Sequence, residues 1–305
     1  MKPIKRELRG VLVLDKPTGI TSMRALSIVK RLLRCKKAGH TGTLDPLATG
    51  VLPICFGKAT GIARYLLADD KTYTVTMKLG VQTDTCDAEG QVLSKQPVPA
   101  FTDQQIHAAL DLFRGEQLQR PPAFSALKVN GKRAYELARK GVEVKLAERR
   151  VHVYQLSLEG CTSDTLSLRC HVSKGTYIRS LVRDIGAELG CGAHITALRR
   201  IQSGQFSLTN AWTLERLEEA PEEALRELFP LQEVLQDYPQ IILDEEEALR
   251  LRQGLINYQL RGRTPEQSGL HVAIDHTGEC LALLQTTDDE NNPWKIEKVF
   301  PPLQT

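Results

Sequence analysis

The sequence predicts an α+β protein with mixed or antiparallel sheets and a small second domain at its C-terminal end. Segments 151–158 and 165–172 both alternate apolar and polar residues, which is the pattern of half-buried strands. Strands and helical patterns do not alternate regularly along the chain, which argues against a Rossmann or TIM-barrel fold. The final part of the chain has its own short elements and turn residues, which indicates a separate small domain.

The first half of the chain is predicted from apolar runs, helical spacing and strand alternation. Leu26, Val29 and Leu33 recur at helical spacing after a capping Thr21 or Ser22. A polar, glycine-rich loop over 36–50 separates this helix from the next strand. The predicted elements are a strand at 10–14, a helix ending near 33, a strand at 51–56, a helix at 60–67, a strand at 71–79 and a helix at 102–113, which Thr102 is expected to cap.

The second half combines strands, one amphipathic helix and an acidic segment divided by prolines. The predicted elements are strands at 151–158 and 165–172, a helix at 177–189, a mostly extended segment at 198–208 and an acidic helical segment at 214–235. The tail has strands near 241–243, 271–274 and 280–284, and a helix from Asp244 to Gly254. We therefore predict one domain over residues 1–237 and a second over 238–305.

The composition of the 305 residues is that of an ordinary globular protein, with 41% hydrophobic and 25% charged residues. The longest apolar runs are short, and the charged segment 1–10 lacks the apolar stretch of a signal peptide. A cytoplasmic protein that does not bind membranes is expected. The seven cysteines include no C-x-x-C pair, so neither a disulfide framework nor a zinc site is predicted.

Charge is distributed unevenly although the net charge is only +3. Segment 128–150 has eight Lys or Arg against three Glu, and segment 215–250 has twelve Asp or Glu against three Arg. A local basic segment can bind a polyanion in a nearly neutral protein. From charge alone, a solvated helix face and loop is the favoured explanation of the basic segment.

The segment 39–50 has the most unusual composition, with three glycines, three threonines, His40, Asp45 and Pro46. Glycine permits a close approach of ligand to backbone, and a residue before proline favours an extended conformation that presents its side chain. Asp45 is therefore a candidate functional carboxylate, and a capping aspartate in an ordered loop is the alternative. A phosphate-binding P-loop is excluded, because six residues separate Gly50 from Gly57 and Lys58 precedes alanine.

The run GHTGTLDPLATGVLPICFGKAT at 39–60 closely resembles the catalytic motif of the TruB family of tRNA pseudouridine synthases. Further matching motifs follow in family order over about residues 10–206. They are LDKPTGITS at 14–22, DKTY at 70–73, TDTCDAEG at 83–90, PPAFSALK at 121–128, GKRAY at 131–135, SKGTYIRSL at 173–181, GAH at 192–194 and LRR at 198–200. The C-terminal tail resembles the small RNA-binding PUA-type domain that ends this family.

The resemblance implies a reaction carried out by side chains alone, without metal or cofactor. Asp45 is the expected nucleophile, Arg179 the cation that holds it, and Tyr73 the aromatic residue that stacks on a flipped uracil. Tyr177 and Leu198 are expected to form the pocket wall, where Leu198 excludes water. For Tyr73 and Leu198, plain core packing is the alternative.

The resemblance also implies several RNA-contacting and supporting residues. His40 is expected to support RNA engagement, with a structural turn histidine as the alternative, and Asp87 is expected to lie near the site. Lys16 and Pro17 are expected to support the catalytic loop. A mobile thumb at about 120–150 is expected to close on the RNA. The basic residues expected to contact RNA are Lys128, Lys132, Arg133 and the pair Arg199 and Arg200.

The expected substrate is the uridine at position 55 in the T-loop of tRNA, recognised through the T-arm by a monomer without an obligate protein partner. Two alternatives remain open. One is a guide-dependent pseudouridine synthase that acts on another RNA. The other is a tRNA-folding chaperone, which either accompanies catalysis or replaces it.

Overall fold

The computed structural model describes residues 6–125, 127–129, 131–142, 144, 146–255, 260, 263, 265–289 and 292–301. Its strands are β1 (Gly10–Lys16), β2 (Ala38–His40), β3 (Thr49–Phe56), β4 (Lys71–Leu79), β5 (Val81–Thr83), β6 (Val92–Lys95), β7 (Gly115–Gln119), β8 (Lys128–Val129), β9 (Lys132–Arg133), β10 (Arg149–Cys161), β11 (Thr165–Val172), β12 (Ala193–Ser203), β13 (Phe206–Ser207), β14 (Gln240–Ile242), β15 (Leu270–Ile274), β16 (Cys280–Thr286) and β17 (Trp294–Val299).

The helices of the described residues are short and lie between these strands. They are α1 (Ser22–Leu32), α2 (Ala63–Leu66), α3 (Asp103–Asp111), α4 (Ala134–Ala138), α5 (Ile178–Glu188), α6 (Leu214–Glu219), α7 (Pro221–Arg226), α8 (Leu231–Val234) and α9 (Glu245–Arg252), with 3-10 turns at Gly57–Ile62 and Leu208–Asn210. The Thr21 side chain caps α1 by accepting from the Arg24 N–H, and Thr102 and Gln105 form a capping box at α3. Both predicted caps are confirmed.

A nine-stranded sheet forms the centre of the molecule. Its strand order is β1-β3-β12-β4-β11-β10-β7, with β2 beside β3 and β13 beside β12. All pairings are antiparallel except that of β3 with β12, where Thr49 lies opposite Arg199 and Gly50 opposite Arg200. The sheet is therefore mixed, and its one parallel contact joins the end of the 41–48 loop to β12.

Two hydrophobic cores cover opposite faces of β1 and β3. Leu12 and Leu14 belong to the core that also contains the buried residues of α1, α3 and α5. Val11 and Val13 point to the other face, since side chains alternate along a strand. They belong to a second core that extends into the C-terminal part and includes Val272, Cys280, Leu283 and Phe300.

The C-terminal part contains a four-stranded sheet in the order β14-β15-β16-β17. It packs on the large sheet through the second core and through polar contacts. Arg9 donates to Glu279 at 2.9 Å, and its guanidinium lies 5.6 Å from the Phe300 ring centroid. Arg64 and Glu297 form a further ion pair. The α+β class with a small β-rich C-terminal part is confirmed.

Several elements differ from the sequence-based prediction. The segment predicted as a helix at 60–67 begins as a 3-10 turn at Gly57, and β12 begins at Ala193, well before position 198. Strand β7 was not predicted because its sequence, GEQLQ, has little apolar alternation. It forms because its main chain pairs with β10 over five positions.

The seven cysteines are separate thiols, and all except Cys161 are buried. Burial raises the pKa of Cys55, Cys170 and Cys280 to about 12. These thiols therefore pack as small apolar groups.

The described helices are also short, and α1 and α5 have 11 residues each. None of the helices in the described part of the chain combines the length and the apolar character that a membrane crossing requires.

Candidate active site

The loop over residues 41–48 connects β2 to β3 and carries Asp45. The Thr41 N–H donates to the Pro53 carbonyl at 3.0 Å, and the Ala48 N–H donates to the Asp45 carbonyl at 3.1 Å. Leu44 and Ala48 are buried in the first core. The backbone is thus anchored on both sides of Asp45, whose side chain is 40% exposed.

Lys16, at the end of β1, is fully buried against this loop. Its Nζ donates to the carbonyls of Pro17 at 2.8 Å, Ile20 at 2.7 Å and Pro46 at 3.4 Å. Burial lowers the pKa of Lys16 to about 8, and the nearby negative charge of Asp45 acts in the opposite direction. The predicted support of the loop by Lys16 is confirmed.

Arg200 also holds the loop and is 1% exposed. Its Nε donates to the Val51 carbonyl at 2.6 Å and its Nη2 to the Gly42 carbonyl at 2.9 Å. The prediction that Arg200 contacts the RNA backbone is wrong, because the guanidinium is buried between the two ends of the loop. The burial of Arg200 could have been predicted from strand alternation, because Arg200 lies two residues after Leu198 and therefore points to the same inward face.

Gly50 makes the close contact of the loop with β12 possible. Its φ is +101°, and a Cβ at this position would lie 2.1 Å from the Arg200 carbonyl oxygen. Only a residue without a side chain fits there without displacement of one strand.

We expect Gly50→Ala to lower the free energy of unfolding by about 2–4 kcal/mol, because it adds backbone strain and a clash with main-chain atoms. Urea unfolding measures the change. Gly141→Ala is the matched control, because Gly141 also has positive φ but a Cβ there would meet nothing within 4 Å. An equal decrease in the free energy of unfolding of Gly50→Ala and Gly141→Ala would contradict the predicted clash with the Arg200 carbonyl.

Arg179, in the first turn of α5, points its guanidinium at Asp45. The Arg179 Nε lies 2.9 Å from Asp45 Oδ2, and Arg179 is 7% exposed. Its Nη1 donates to the Thr85 carbonyl at 3.0 Å and its Nη2 to the Phe124 carbonyl at 2.9 Å. Two separate segments therefore fix the guanidinium, and Nε remains directed at the Asp45 carboxylate.

Asp87 is the second carboxylate of this group and is 5% exposed. Its Oδ2 lies 3.7 Å from Arg179 Nη1, and its Oδ1 accepts from the Thr85 hydroxyl at 2.5 Å and the Glu89 N–H at 3.1 Å. Arg179 thus stands between two carboxylates. The predicted proximity of Asp87 to the site agrees with this geometry.

The surroundings of Asp45 raise the pKa of its carboxyl above the ordinary range. Burial among protein atoms is the largest cause, and the negative charge of Asp87 adds to it. The positive charges of Arg179 and Lys16 act in the opposite direction. Solvent reaches part of the Asp45 side chain. Because burial and Asp87 both disfavour the ionised carboxylate, Arg179 and Lys16 are needed to stabilise it.

We expect the acid limb of the pH–rate profile to follow the ionisation of Asp45. A reaction that uses the carboxylate slows as the pH falls through this raised pKa. Asp87→Asn removes one cause of the increase, so the acid limb of kcat/KM moves to lower pH. Asp84→Asn is the control, because Asp84 Oδ1 accepts from the Gln91 N–H in the same loop. A limb that stays in place or moves to higher pH in Asp87→Asn would contradict this electrostatic account.

Tyr73 and Leu198 lie on neighbouring strands of the sheet, and each is 9% exposed. Tyr73 is opposite Arg200 and Leu198 opposite Val75 in the β4–β12 register, so both side chains share one face. Both belong to the core that contains Leu44 and Ala48, the neighbours of Asp45 in the loop. Their predicted roles in stacking and pocket lining stay predictions.

Among the described residues, neither Tyr177 nor His40 forms a hydrogen bond or ion pair with Asp45. The Tyr177 ring lies 5.3 Å from the Arg149 guanidinium, and its main chain is bonded to the Gln119 side chain at 2.8 and 3.1 Å. The His40 Nδ1 is buried without a hydrogen-bond partner among the described residues. Burial and the charge of Arg200 lower the pKa of His40, which favours a neutral imidazole.

The thumb segment presents its basic residues to solvent. Strands β8 and β9 form a small hairpin in which Lys128 lies opposite Arg133, and Lys128, Lys132 and Arg133 are exposed. Arg133 and Arg139 lie 6.0 and 5.6 Å from the Tyr135 ring centroid. This segment reaches the site at its base, where the Phe124 carbonyl accepts from Arg179.

Arg199 is not brought together with Asp45. Its Nη1 and Nη2 bind the two carboxylate oxygens of Asp15 at 3.0 and 2.6 Å. It faces the side of β12 opposite to Leu198 and Arg200, and it borders an open cavity of about 540 Å³ together with Thr18 and Thr49. Leu47 of the Asp45 loop and Leu198 line the same cavity. The predicted contact of Arg199 with RNA stays a prediction.

Two family models match the chain. The model for the N-terminal domain of TruB family pseudouridylate synthases covers residues 30–178, and the model for the C-terminal domain of tRNA pseudouridylate synthase B covers residues 179–242. A tRNA pseudouridine synthase B of Stutzerimonas stutzeri is 45% identical, over 95% of both chains. The chain belongs to the TruB family. A tRNA pseudouridine synthase B of Ralstonia pickettii is 50% identical over 83% of this chain and 81% of the relative.

Solved structures agree with the assignment to the TruB family. An H/ACA RNP bound to a substrate RNA containing 2′-deoxyuridine matches with a TM-score of 0.72 and 26% identity, over 96% of this chain and 85% of that one. An archaeal box H/ACA sRNP Nop10-Cbf5 complex matches with a TM-score of 0.73 and 26% identity, over 97% and 87%. The predicted family, fold class and enzyme class, a pseudouridine synthase, are confirmed.

Within this TruB enzyme, the structure brings Asp45, Arg179 and Asp87 into one group. Lys16 and Arg200 hold the backbone of the loop that carries Asp45. In the described part of the chain, no cluster of three or more His, Cys, Asp or Glu side chains is arranged to hold a metal ion. The group itself is a partly exposed carboxylate, Asp45, held by the guanidinium of Arg179.

Proposed function

We propose that the chain isomerises uridine to pseudouridine at position 55 in the T-loop of tRNA, with Asp45 as nucleophile. The contact of Arg179 Nε with Asp45 Oδ2 at 2.9 Å carries this proposal. A carboxylate that a buried arginine keeps ionised and oriented, and that solvent still reaches, is suited to attack a bound nucleoside.

The reaction breaks the C1′–N1 bond, turns the base, forms the C1′–C5 bond and releases the C5 hydrogen as a proton. No atom enters or leaves apart from exchange of that proton, so the isomerisation needs no cofactor. Asp45 serves any of three routes: attack on the sugar, addition to the base, or assistance in glycal formation. In each route the positive charge of Arg179 stabilises the Asp45 carboxylate when it is not bonded to the nucleoside.

The target base leaves the RNA stack in this proposal, because a base within a helix is out of reach of Asp45. Tyr73 stacks on the flipped uracil, and Leu198 and Tyr177 wall the pocket so that water does not reach the sugar. Asp87 keeps Arg179 in place. His40 supports the RNA at the site of the removed base.

The tRNA is bound through the T-arm by the thumb of about 120–150. Lys128, Lys132 and Arg133 are exposed cations suited to backbone phosphates. We assign residues 1–237 to the catalytic domain and 238–305 to a small PUA-like RNA-binding domain, which acts with it in a cytoplasmic monomer. Arg199 is a further RNA contact in this proposal.

Tritium release tests this function directly. The protein is incubated with an unmodified tRNA transcript labelled with [5-³H]uridine, in the absence of any other protein or RNA. Release of label is expected, because C5 loses its hydrogen when it bonds to C1′.

The similarity to H/ACA RNP structures motivates a guide-dependent reaction as the second candidate. Retention of label by folded, tRNA-binding protein would contradict the stand-alone enzyme. Release that appears only after addition of a guide RNA and partner proteins would favour the second candidate. Faster refolding of tRNA without any release would favour a chaperone.

A further inference from the structure

We propose that Ser22 is a positioning residue for Asp45, acting through the backbone of Leu44. This inference rests on the proposed role of Asp45 as nucleophile. It assigns to Ser22 a contribution to the chemical step in addition to its place in the fold.

The Ser22 hydroxyl holds both polar groups of one peptide residue. It donates to the Leu44 carbonyl at 2.9 Å and accepts from the Leu44 N–H at 2.8 Å. Ser22 is 1% exposed and Leu44 is 4% exposed, so water does not compete for these bonds. The reciprocal pair fixes the orientation of the residue immediately before Asp45.

The position of Ser22 is itself fixed by helix α1. Ser22 is the first residue of the helix, directly after the capping Thr21. Ala25, Leu26 and Val29 bury the inner face of the same helix in the core. The hydroxyl is thus mounted on a rigid element, which is the condition for precise orientation of a neighbouring loop.

The other side of Asp45 is fixed by the same chain segment. The Pro46 carbonyl accepts from the Gly19 N–H at 2.9 Å, and the Leu47 carbonyl accepts from the Thr18 hydroxyl at 3.2 Å. Asp45 therefore lies between two restrained neighbours. Loss of the Ser22 hydroxyl releases one of these restraints and leaves a buried N–H and a buried C=O without their partner.

A small displacement of the carboxylate is expected to affect rate more than binding. Misplacement of a catalytic group by about 1 Å can cost about a hundredfold in rate. The Leu44 backbone is buried and is not part of the exposed basic surface that binds tRNA in the proposed function. Removal of the hydroxyl should therefore lower kcat and leave KM close to that of the wild type.

The experiment compares Ser22→Ala with Ser27→Ala on the same helix. Ser27 is exposed, and its hydroxyl donates to the Met23 carbonyl at 2.9 Å, so it controls for loss of a helix hydroxyl. We expect Ser22→Ala to lower the single-turnover rate about ten- to a hundredfold with unchanged tRNA affinity. Hydrogen exchange of the Leu44 amide should accelerate. Ser27→Ala should match the wild type in all three measurements.

Two further variants keep the inference testable if Ser22→Ala does not fold. Ser22→Thr retains the hydroxyl and should recover most of the rate. Ser22→Cys retains the shape with weaker hydrogen bonds and should be slower than Ser22→Thr. Wild-type single-turnover rates in the alanine or cysteine variant, or a reduced rate with unchanged exchange of the Leu44 amide, would overturn the proposal.

Asp45→Asn, measured in parallel, separates this inference from the proposed function. An active Asp45→Asn variant would overturn the role of Asp45 itself. An inactive Asp45→Asn together with a fully active Ser22→Ala would overturn only the role of Ser22.

Discussion

Asp45→Asn is expected to abolish tritium release, with a loss in single-turnover rate of at least about 10⁴-fold. The amide has nearly the shape of the carboxylate but is not a nucleophile and carries no charge to pair with Arg179. Binding of tRNA should change less than about threefold, because the basic contacts lie elsewhere. Tritium release and filter binding on the same preparations measure the two effects.

If Asp45→Asn lost both tritium release and tRNA binding, the role of Asp45 would not be confined to catalysis. The matched control is Asp84→Asn, which removes a carboxylate from the 83–90 loop without touching Asp45. It should retain release and binding. Tritium release by Asp45→Asn at more than about a tenth of the wild-type rate would contradict the nucleophile assignment.

Arg179→Lys is expected to lower the single-turnover rate by about 10²–10³-fold. Lysine keeps the charge but has one donor group, whereas the guanidinium contacts Asp45, Thr85 and Phe124 through three nitrogens. The lysine cannot make the three contacts at once, so Asp45 loses orientation and part of its charge stabilisation. The acid limb of the rate profile should therefore move to higher pH.

Arg183→Lys on the same helix is the control for this substitution. Arg183 pairs with the adjacent Asp184 and with the Arg120 carbonyl, and it makes no contact with Asp45. Its variant should keep the wild-type rate and pH profile within about twofold. If Arg179→Lys and Arg183→Lys lowered the single-turnover rate equally, the cause would be a general effect on α5. That result would contradict a specific role for the pairing of Arg179 with Asp45.

The sequence predicted the parts of the fold and site that depend on local patterns. The caps at Thr21 and Thr102 follow from residue type and helical spacing, and both form. The loop around Asp45 was recognisable from its motif, and Arg179 from a second motif. The structure brings those two distant segments together at 2.9 Å.

The features that could not be predicted from the sequence depend on contacts between residues far apart in the chain. Nothing local indicates that β12 runs parallel to β3, yet this pairing places Arg200 inside the molecule. Arg199 looked free to bind RNA because its partner Asp15 is 184 positions away in the chain. The shared core between β1 and the C-terminal sheet was likewise invisible, because alternation shows that a face is buried but not what covers it.

The most direct test of the proposed function uses two tRNA transcripts that each carry a single [5-³H]uridine. One carries it at position 55, and the other carries it at a uridine outside the T-loop. The purified protein, without guide RNA or partner, should release label from the first transcript to completion and leave the second unchanged. Release from the second transcript, or none from the first while binding is intact, would contradict the assignment of this chain as a stand-alone synthase for position 55.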